Sequence, residues 1–149
     1  MKKINFKLNN NIPPYIIAEA GINHNGDIQN ALKLIEAAHK AGADAIKFQT
    51  YKSNLFISPE SEYYNIFKNC ELGIDEIKLL VQKAKSLNIT IFSAVFDFIS
   101  ADLWQTLDTP MFKIASGDIT YHALLAYVAK FNKPMILSTG GSSIQEIAS

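Results

Sequence analysis

The chain has a single cysteine, no apolar run near membrane-spanning length, no excess of charge of either sign and few histidines, and each shortage removes a class of function. Cys70 stands alone among 149 residues, so an intrachain disulfide and a four-cysteine zinc site are both excluded. Its setting, Lys68-Asn69-Cys70-Glu71-Leu72, offers no activating base, which predicts a half-buried, inert thiol. Fourteen Lys and Arg residues balance fourteen Asp and Glu, so no global field favours nucleic acid or an anionic membrane, and any anion site must be local. No apolar run approaches the ~18–20 residues needed to cross a bilayer. The start, Met1-Lys2-Lys3-Ile4-Asn5-Phe6-Lys7, is too polar for the core of a signal peptide. Together these predict a cytoplasmic chain with neither nucleic acid nor membrane as partner. The three histidines form no H-x-H or H-x-x-x-H pair, so no metal ligand is assigned. His39 and His122 fall in helical patterns as surface or packing residues, and His24 lies in a loop where a metal or substrate role stays open.

What is present is a repeating alternation of strand and helix. After the polar stretch Asn9–Asn11 and Pro13-Pro14, Tyr15–Ala20 reads as a strand and Gly21–Gly26 as a loop. Asp27 is placed to cap a helix carrying Ile28, Leu32, Ile35 and Ala38, and Gly42 to end it. A second strand begins near Ala45. The stretch 51–72 is long, aromatic and irregular, far above the usual ~2–6 residues of a βα connection. Ile77, Leu80, Val81, Ala84 and Leu87 mark an amphipathic helix closed near Asn88. Thr90–Val95 is a third strand, followed by a helix with Ile99, Leu103, Trp104 and Leu107. A fourth strand begins near Met111, Thr120 can cap a helix bearing Leu124, Leu125 and Val128, and a fifth strand starts near Pro134. Ser143 and Glu146 have the spacing of a capping box.

Five βα units have two homes: a complete doubly wound sheet, which the length favours, or the first part of a (β/α)8 barrel of roughly 250 residues. A glycine-rich phosphate turn is missing after strand one, and strand three ends in Ala94-Val95 without an acidic residue. Both details favour the barrel.

Three strands end in polar clusters: Lys47-Phe48-Gln49-Thr50, Lys113-Ile114-Ala115-Ser116-Gly117-Asp118 and Ser138-Thr139-Gly140. In parallel α/β folds such ends gather at one mouth, where ligands bind. Lys47 and Gln49 share one strand face and Ile46 and Phe48 the other. A lysine turned inward on a buried strand is costly unless an anion compensates it, or a carboxylate such as Glu19 does. Two such lysines favour an anion site. Ser116 and Ser138 stand just before helix starts, where phosphate is well held, although turn chemistry alone accounts for either one taken singly. Glu19, at the end of strand one, fits a general acid or base as well as a simple counter-charge to the lysines.

These residues lie in motifs that closely resemble the sialic acid synthase family, which includes N-acetylneuraminate, legionaminate and pseudaminate synthases and spore-coat polysaccharide enzymes. The motifs are Ile17–Gly26, Ala41–Thr50, Phe112–Asp118 and Lys133–Gly140, in order and at natural spacing. The resemblance implies a TIM-barrel, (β/α)8 domain followed by an antifreeze-like domain. It implies a transferase that condenses phosphoenolpyruvate with an N-acylated mannosamine-type sugar and releases phosphate. By the same resemblance Glu19, Lys47 and Lys113 are catalytic. Lys47, Lys113, Ser116 and Ser138 hold phosphoenolpyruvate, with Glu19 beside the metal and aldehyde, and Gln49 and Asp118 face the sugar. A divalent cofactor, Mn2+ or Mg2+, is implied for full-length members, with its histidine ligands outside this chain.

On the same resemblance residues 1–149 correspond to the N-terminal part of the barrel domain, ending inside the fifth helix and without the antifreeze-like domain. The implied partners beyond substrate are a second copy, in a homodimer, or a complementing C-terminal chain. Such an open segment is expected to expose two sheet edges and much apolar inner surface. The chain departs from the family at Ala94-Val95, where many relatives carry Thr-Pro, and at Gly141, where many carry Met. Other functions remain open: an inactive fragment or half of a split enzyme that keeps a phosphate site, a Schiff-base aldolase using Lys47 or Lys113, or a heptulosonate or octulosonate synthase.

Overall fold

A computed structural model of the chain describes residues 13–148; the polar start through Asn11, and Ser149, lie outside the described residues. Five parallel strands, β1 (Ile17–Gly21), β2 (Ala45–Thr50), β3 (Thr90–Val95), β4 (Phe112–Ile114) and β5 (Met135–Leu137), form one sheet in the order β1-β2-β3-β4-β5. Helices α1 (Ile28–Lys40), α4 (Ile74–Ser86), α5 (Phe98–Thr106) and α6 (His122–Ala129) connect them, and α7 (Ile144–Ala148) follows β5. Every strand after β1 pairs with its predecessor, so among the described residues there is no topological switch point. A doubly wound sheet reverses its order at such a point, and the wall of a TIM barrel does not. The architecture is five consecutive units of the barrel type, with the sheet not closed.

The two faces of the sheet carry different cores. Ile46, Phe48, Ile91, Val95, Phe112 and Ile114 point outward and pack with Ile35 of α1, Leu80 of α4, Trp104 of α5 and Leu124 of α6. On the inner face Ala45, Phe92 and Met111 are buried, with Tyr15, Ile17 and Ile136 against them. This corrects the expectation of a widely exposed inner surface, because the lower layer of that face is covered. Exposed apolar groups include Met135 and Leu137 on β5 and Ile144 and Ile147 on α7, with others such as Leu55, Ile66 and Ile99 spread over the connections and helices. Among the described residues β1 and β5 are the two sheet edges, as expected.

Local signals explain most boundaries. Asp27 accepts from the backbone N–H groups of Gln29 and Asn30, and Gly42, at φ +79°, ends the connection after α1. Asn88 takes a left-handed conformation after α4. Ser143 and Glu146 form the capping box of α7. Thr120 does not cap α6, which starts at His122 after Tyr121 with no side-chain cap bond. The stretch 51–72 is less irregular than expected and holds two short helices, α2 (Ser53–Phe56) and α3 (Tyr64–Cys70). Cys70 is buried rather than half-buried, and burial pushes its thiol pKa up, which adds to the missing activating base in disfavouring the thiolate. Among the described residues no helix is long and apolar enough to cross a membrane.

Candidate functional site

Register places the chemistry-bearing residues in rows on the inner face. Glu19 pairs with Lys47 and Lys47 with Phe92, while Gln49 pairs with Ala94 and Ala94 with Lys113. Lys113 in turn pairs with Ile136, so the lysines of β2 and β4 share the inner face with Phe92, which lies level with Lys47, and with Ala45 and Met111, one inward step below Lys47 and Lys113. The face runs from apolar at its base to charged and polar at the strand ends. A register shift between Glu19 and Gly21 closes β1, and Gly21 adopts φ +54°. A Cβ at Gly21 would lie 3.4 Å from Glu19 Oε1 and 3.9 Å from the Gln49 amide carbon. The glycine therefore both permits the turn and leaves room for two side chains to meet over it.

The lysines are held differently. Lys47 Nζ lies 2.5 Å from Glu19 Oε2, with the lysine side chain 11% exposed and the glutamate 55%. The carboxylate compensation weighed from the sequence is thus realised for Lys47. Lys113 donates to the Ile114 carbonyl and, at 2.5 Å, to Ser138 Oγ. Burial first, and repulsion from Lys47 second, hold the Lys113 ammonium below the usual lysine range, with Glu19 and Asp118 pulling the other way. The two ammonium groups therefore feel one another across a shared mouth, alongside two carboxylates.

Ser116, Gly117 and Asp118 form a 3-10 turn directly after β4. A Cβ at Gly140 would touch the Ser116 side chain at 3.7 Å, so the ends of β4 and β5 close on each other with Ser116 and Ser138 between them. Burial raises the Asp118 carboxyl pKa, Lys113 lowers it less, and its Oδ2 has no hydrogen-bond partner among the described residues. Glu19, Lys47, Gln49, Lys113, Ser116, Asp118 and Ser138 thus all come from the carboxyl ends of β1, β2, β4 and β5. Ala94, where the family pattern has a hydroxyl, lies on this inner face between Gln49 and Lys113.

His24 is not part of the mouth. It is fully buried with its ring 6.1 Å from that of Phe48, on the helix-facing side, and its Nδ1 accepts from the Gly26 N–H. Burial lowers its pKa, against a smaller opposing pull from Glu76. The His39 and His122 side chains are exposed on helices, as expected. Among the described residues no group of three His, Cys, Asp or Glu side chains is arranged to hold a metal ion. Among the described residues the mouth supplies two carboxylates, Glu19 and Asp118, too few to hold a divalent cation by themselves.

A supporting layer was not read from the sequence. Trp104 Nε1 donates to Thr50 Oγ1, which lies 2.8 Å from Ser93 Oγ, and Ser93 Oγ donates to the Ala94 carbonyl. Asp97 accepts from the backbone N–H of Lys52 and from the N–H and hydroxyl of Ser100. Glu71 accepts from Lys52 Nζ and from the N–H and hydroxyl of Ser53. Burial acts to raise the Glu71 carboxyl, and these hydrogen bonds outweigh it and hold the group low. Together they fix the exit of β2, which carries Gln49. The one available signal was the aspartate before a helical pattern at Phe98.

The NeuB family model matches residues 34–149. The chain is 41% identical over 146 residues to N,N'-diacetyllegionaminic acid synthase of Campylobacter jejuni, an alignment covering 89% of this chain and 44% of the relative. It is 38% identical to spore coat polysaccharide biosynthesis protein SpsE of Bacillus subtilis, covering 91% and 39%. The crystal structure of N-acetylneuraminic acid synthetase from Leptospira borgpetersenii, in complex with citrate, superposes with a TM-score of 0.89 at 37% identity, covering 95% of this chain and 52% of that one. The chain spans about two fifths of the length of the curated relatives it matches.

Proposed function

The chain belongs to the NeuB family, and from that premise we propose that its mouth holds phosphoenolpyruvate for condensation with an N-acylated mannosamine-type sugar. In this proposal residues 1–149 are the N-terminal part of a barrel domain in surface-carbohydrate biosynthesis. The rest of the wall comes from further residues or a complementing chain, and the complete enzyme works as a cytoplasmic homodimer. Homologues that make sugar acids support the general class. The observation that carries the reading is the pair of ammonium groups, Lys47 and Lys113, on one face within each other's field.

Phosphoenolpyruvate concentrates a carboxylate and a phosphate within a few ångströms. Lys113, already oriented by Ser138 Oγ, takes one anionic group, and Lys47 exchanges Glu19 for the other. Ser116 and Ser138 add hydroxyl donors. C3 of the enol attacks the aldehyde carbon of the open-chain sugar, forming the C–C bond and leaving positive charge at C2. The aldehyde oxygen takes the C=O π pair as the C–C bond forms, and water adding at C2 gives up the proton that turns this oxygen into a hydroxyl. The tetrahedral intermediate then breaks the C2–O bond to the phosphate while its new C2 hydroxyl loses its proton to become a keto group, and the proton leaves with inorganic phosphate. Glu19, freed from Lys47, is the carboxylate nearest the reacting carbons, with Gln49 and Asp118 directed to the sugar hydroxyls. The side chains act through charge and position, without a covalent adduct. No step here is assigned to a divalent ion, for which the described residues supply no ligand set.

Phosphorus-31 NMR titration with phosphoenolpyruvate should show saturable binding. Phosphate release, assayed with manganese or magnesium supplied, should require an N-acylmannosamine. Absence of binding, or release without the sugar, would overturn the proposal. The lowered Lys113 pKa also favours a second chemistry, Schiff-base formation with a keto acid. Borohydride trapping of pyruvate on Lys113 would establish that alternative.

A further inference from the structure

Four aromatic rings above the charged layer are not accounted for by either core. Tyr51, Phe56, Phe67 and Phe96 pack on one another, with centroids 4.9 Å apart for Tyr51–Phe56, 5.0 Å for Phe56–Phe67, 4.8 Å for Phe56–Phe96 and 6.2 Å for Tyr51–Phe96. None belongs to the outer or inner apolar cluster. Gln49 and Ala94 point inward, so one further step of the alternation puts Tyr51 and Phe96 on the inner side at the strand exits. The face therefore runs from apolar base to charged layer to an aromatic rim.

Hydrogen bonds brace the rim. The Tyr51 hydroxyl donates to the Phe67 carbonyl, and Asp97 and Glu71 anchor the backbone of Lys52 and Ser53 beside it. Tyr51 is buried, which leaves the half-buried Phe56, Phe67 and Phe96 as the rings with surface to offer. Phe96 meets Tyr51 at 77° and Phe56 at 66°. Edge-to-face rings make an apolar corner, not the flat platform on which a pyranose stacks. An open-chain sugar has no ring face, and its one apolar part is the acyl group.

Resting on the synthase reading, we infer that this aromatic corner receives the acyl group of the sugar, with Phe96 as the specificity-determining residue. A rim of this kind distinguishes acylated from free amino sugars in two ways. It gains from burying a methyl, and it takes a protonated amine out of water against rings that carry no charge.

Saturation-transfer NMR on the chain, with phosphoenolpyruvate present, tests this with N-acetylmannosamine, N-propanoylmannosamine and mannosamine. The acyl methyl should carry the strongest saturation, and mannosamine should bind at least about fourfold more weakly, the worth of one methyl removed from water. Phe96→Ala should abolish that preference. Phe96→Leu, which keeps most of the packing, should retain part of it. Equal preference in wild type and Phe96→Ala, saturation centred on the hydroxylated carbons, or no sugar binding beside bound phosphoenolpyruvate would each overturn the inference alone. A wild-type chain that fails to bind phosphoenolpyruvate in the same titration would remove the synthase reading, and this inference with it.

Discussion

Neutralising Glu19 should tighten phosphoenolpyruvate binding, although Glu19 lies at the centre of the site. In the ligand-free chain its carboxylate holds Lys47 Nζ at 2.5 Å. An incoming anion must displace that carboxylate and then bind beside it. With the glutamate side chain 55% exposed, the water-like limit applies, and a unit charge about 5 Å away costs about 1 kcal/mol. Glu19→Gln is therefore expected to strengthen binding about fivefold. Lys47→Met should act in the opposite sense twice over. It removes a charge-assisted hydrogen bond worth about 1.5–3 kcal/mol and leaves the Glu19 charge uncompensated, for a total loss of about 100- to 1000-fold. Lys113→Met removes a bond of the same class but breaks no contact ion pair, since Lys113 donates to the Ile114 carbonyl and Ser138 Oγ, so its loss should be about 10- to 100-fold. The double variant Glu19→Gln/Lys47→Met should recover about fivefold over Lys47→Met. Isothermal titration calorimetry at one fixed ionic strength measures all four. Weaker binding by Glu19→Gln, or wild-type affinity in Lys47→Met, would refute the shared-lysine geometry.

Anion binding favours the Lys113 ammonium, whose pKa burial and Lys47 depress in the free chain. Binding should therefore take up a proton as pH rises toward that depressed value, and affinity should fall before ordinary lysines titrate near ~10.4. Calorimetry in two buffers of different ionisation enthalpy reads the uptake, and Lys113→Met should remove it. Gly26→Ala should destabilise the fold by about 3 kcal/mol or more, because φ is +76° and the new Cβ would sit 2.0 Å from the Asn69 carbonyl oxygen. Gly117→Ala, with nothing within 4 Å of its Cβ, should stay within about 0.5 kcal/mol in the same urea melts. Trp104→Phe keeps an aromatic ring in the outer core but removes the donor to Thr50 Oγ1, at an expected cost of about 1–2 kcal/mol in urea.

Strand ends and inward lysines were legible because alternation has period two and polar clusters punctuate apolar runs. Lys47 and Gln49 could be put on one face before any coordinates, and the mouth assembled from β1, β2, β4 and β5 follows from that. The length left a doubly wound sheet open, and strand order, which no local pattern encodes, excluded it. Helices α2 and α3 were missed because four and seven residues are too few to display a helical period. The ties of Glu71 to Ser53 and of Asp97 to Lys52 join residues 18 and 45 positions apart, beyond any window of pattern reading. His24 was left open as a ligand because burial against Phe48 depends on how the first loop meets α4. Thr120 looked like a cap, but the 3-10 turn at Ser116–Asp118 delays the start of α6 past it.

A sheet in which each strand docks only on the one before it can be assembled vectorially. As the nascent polypeptide leaves the ribosome, β2 finds its template already laid down by β1, and each later unit extends a growing edge. Among the described strands none has to wait for one that has yet to be synthesised. Between successive units the β1 edge and one fresh edge are open, so chaperones would be needed at a site that travels as the sheet grows as well as at β1.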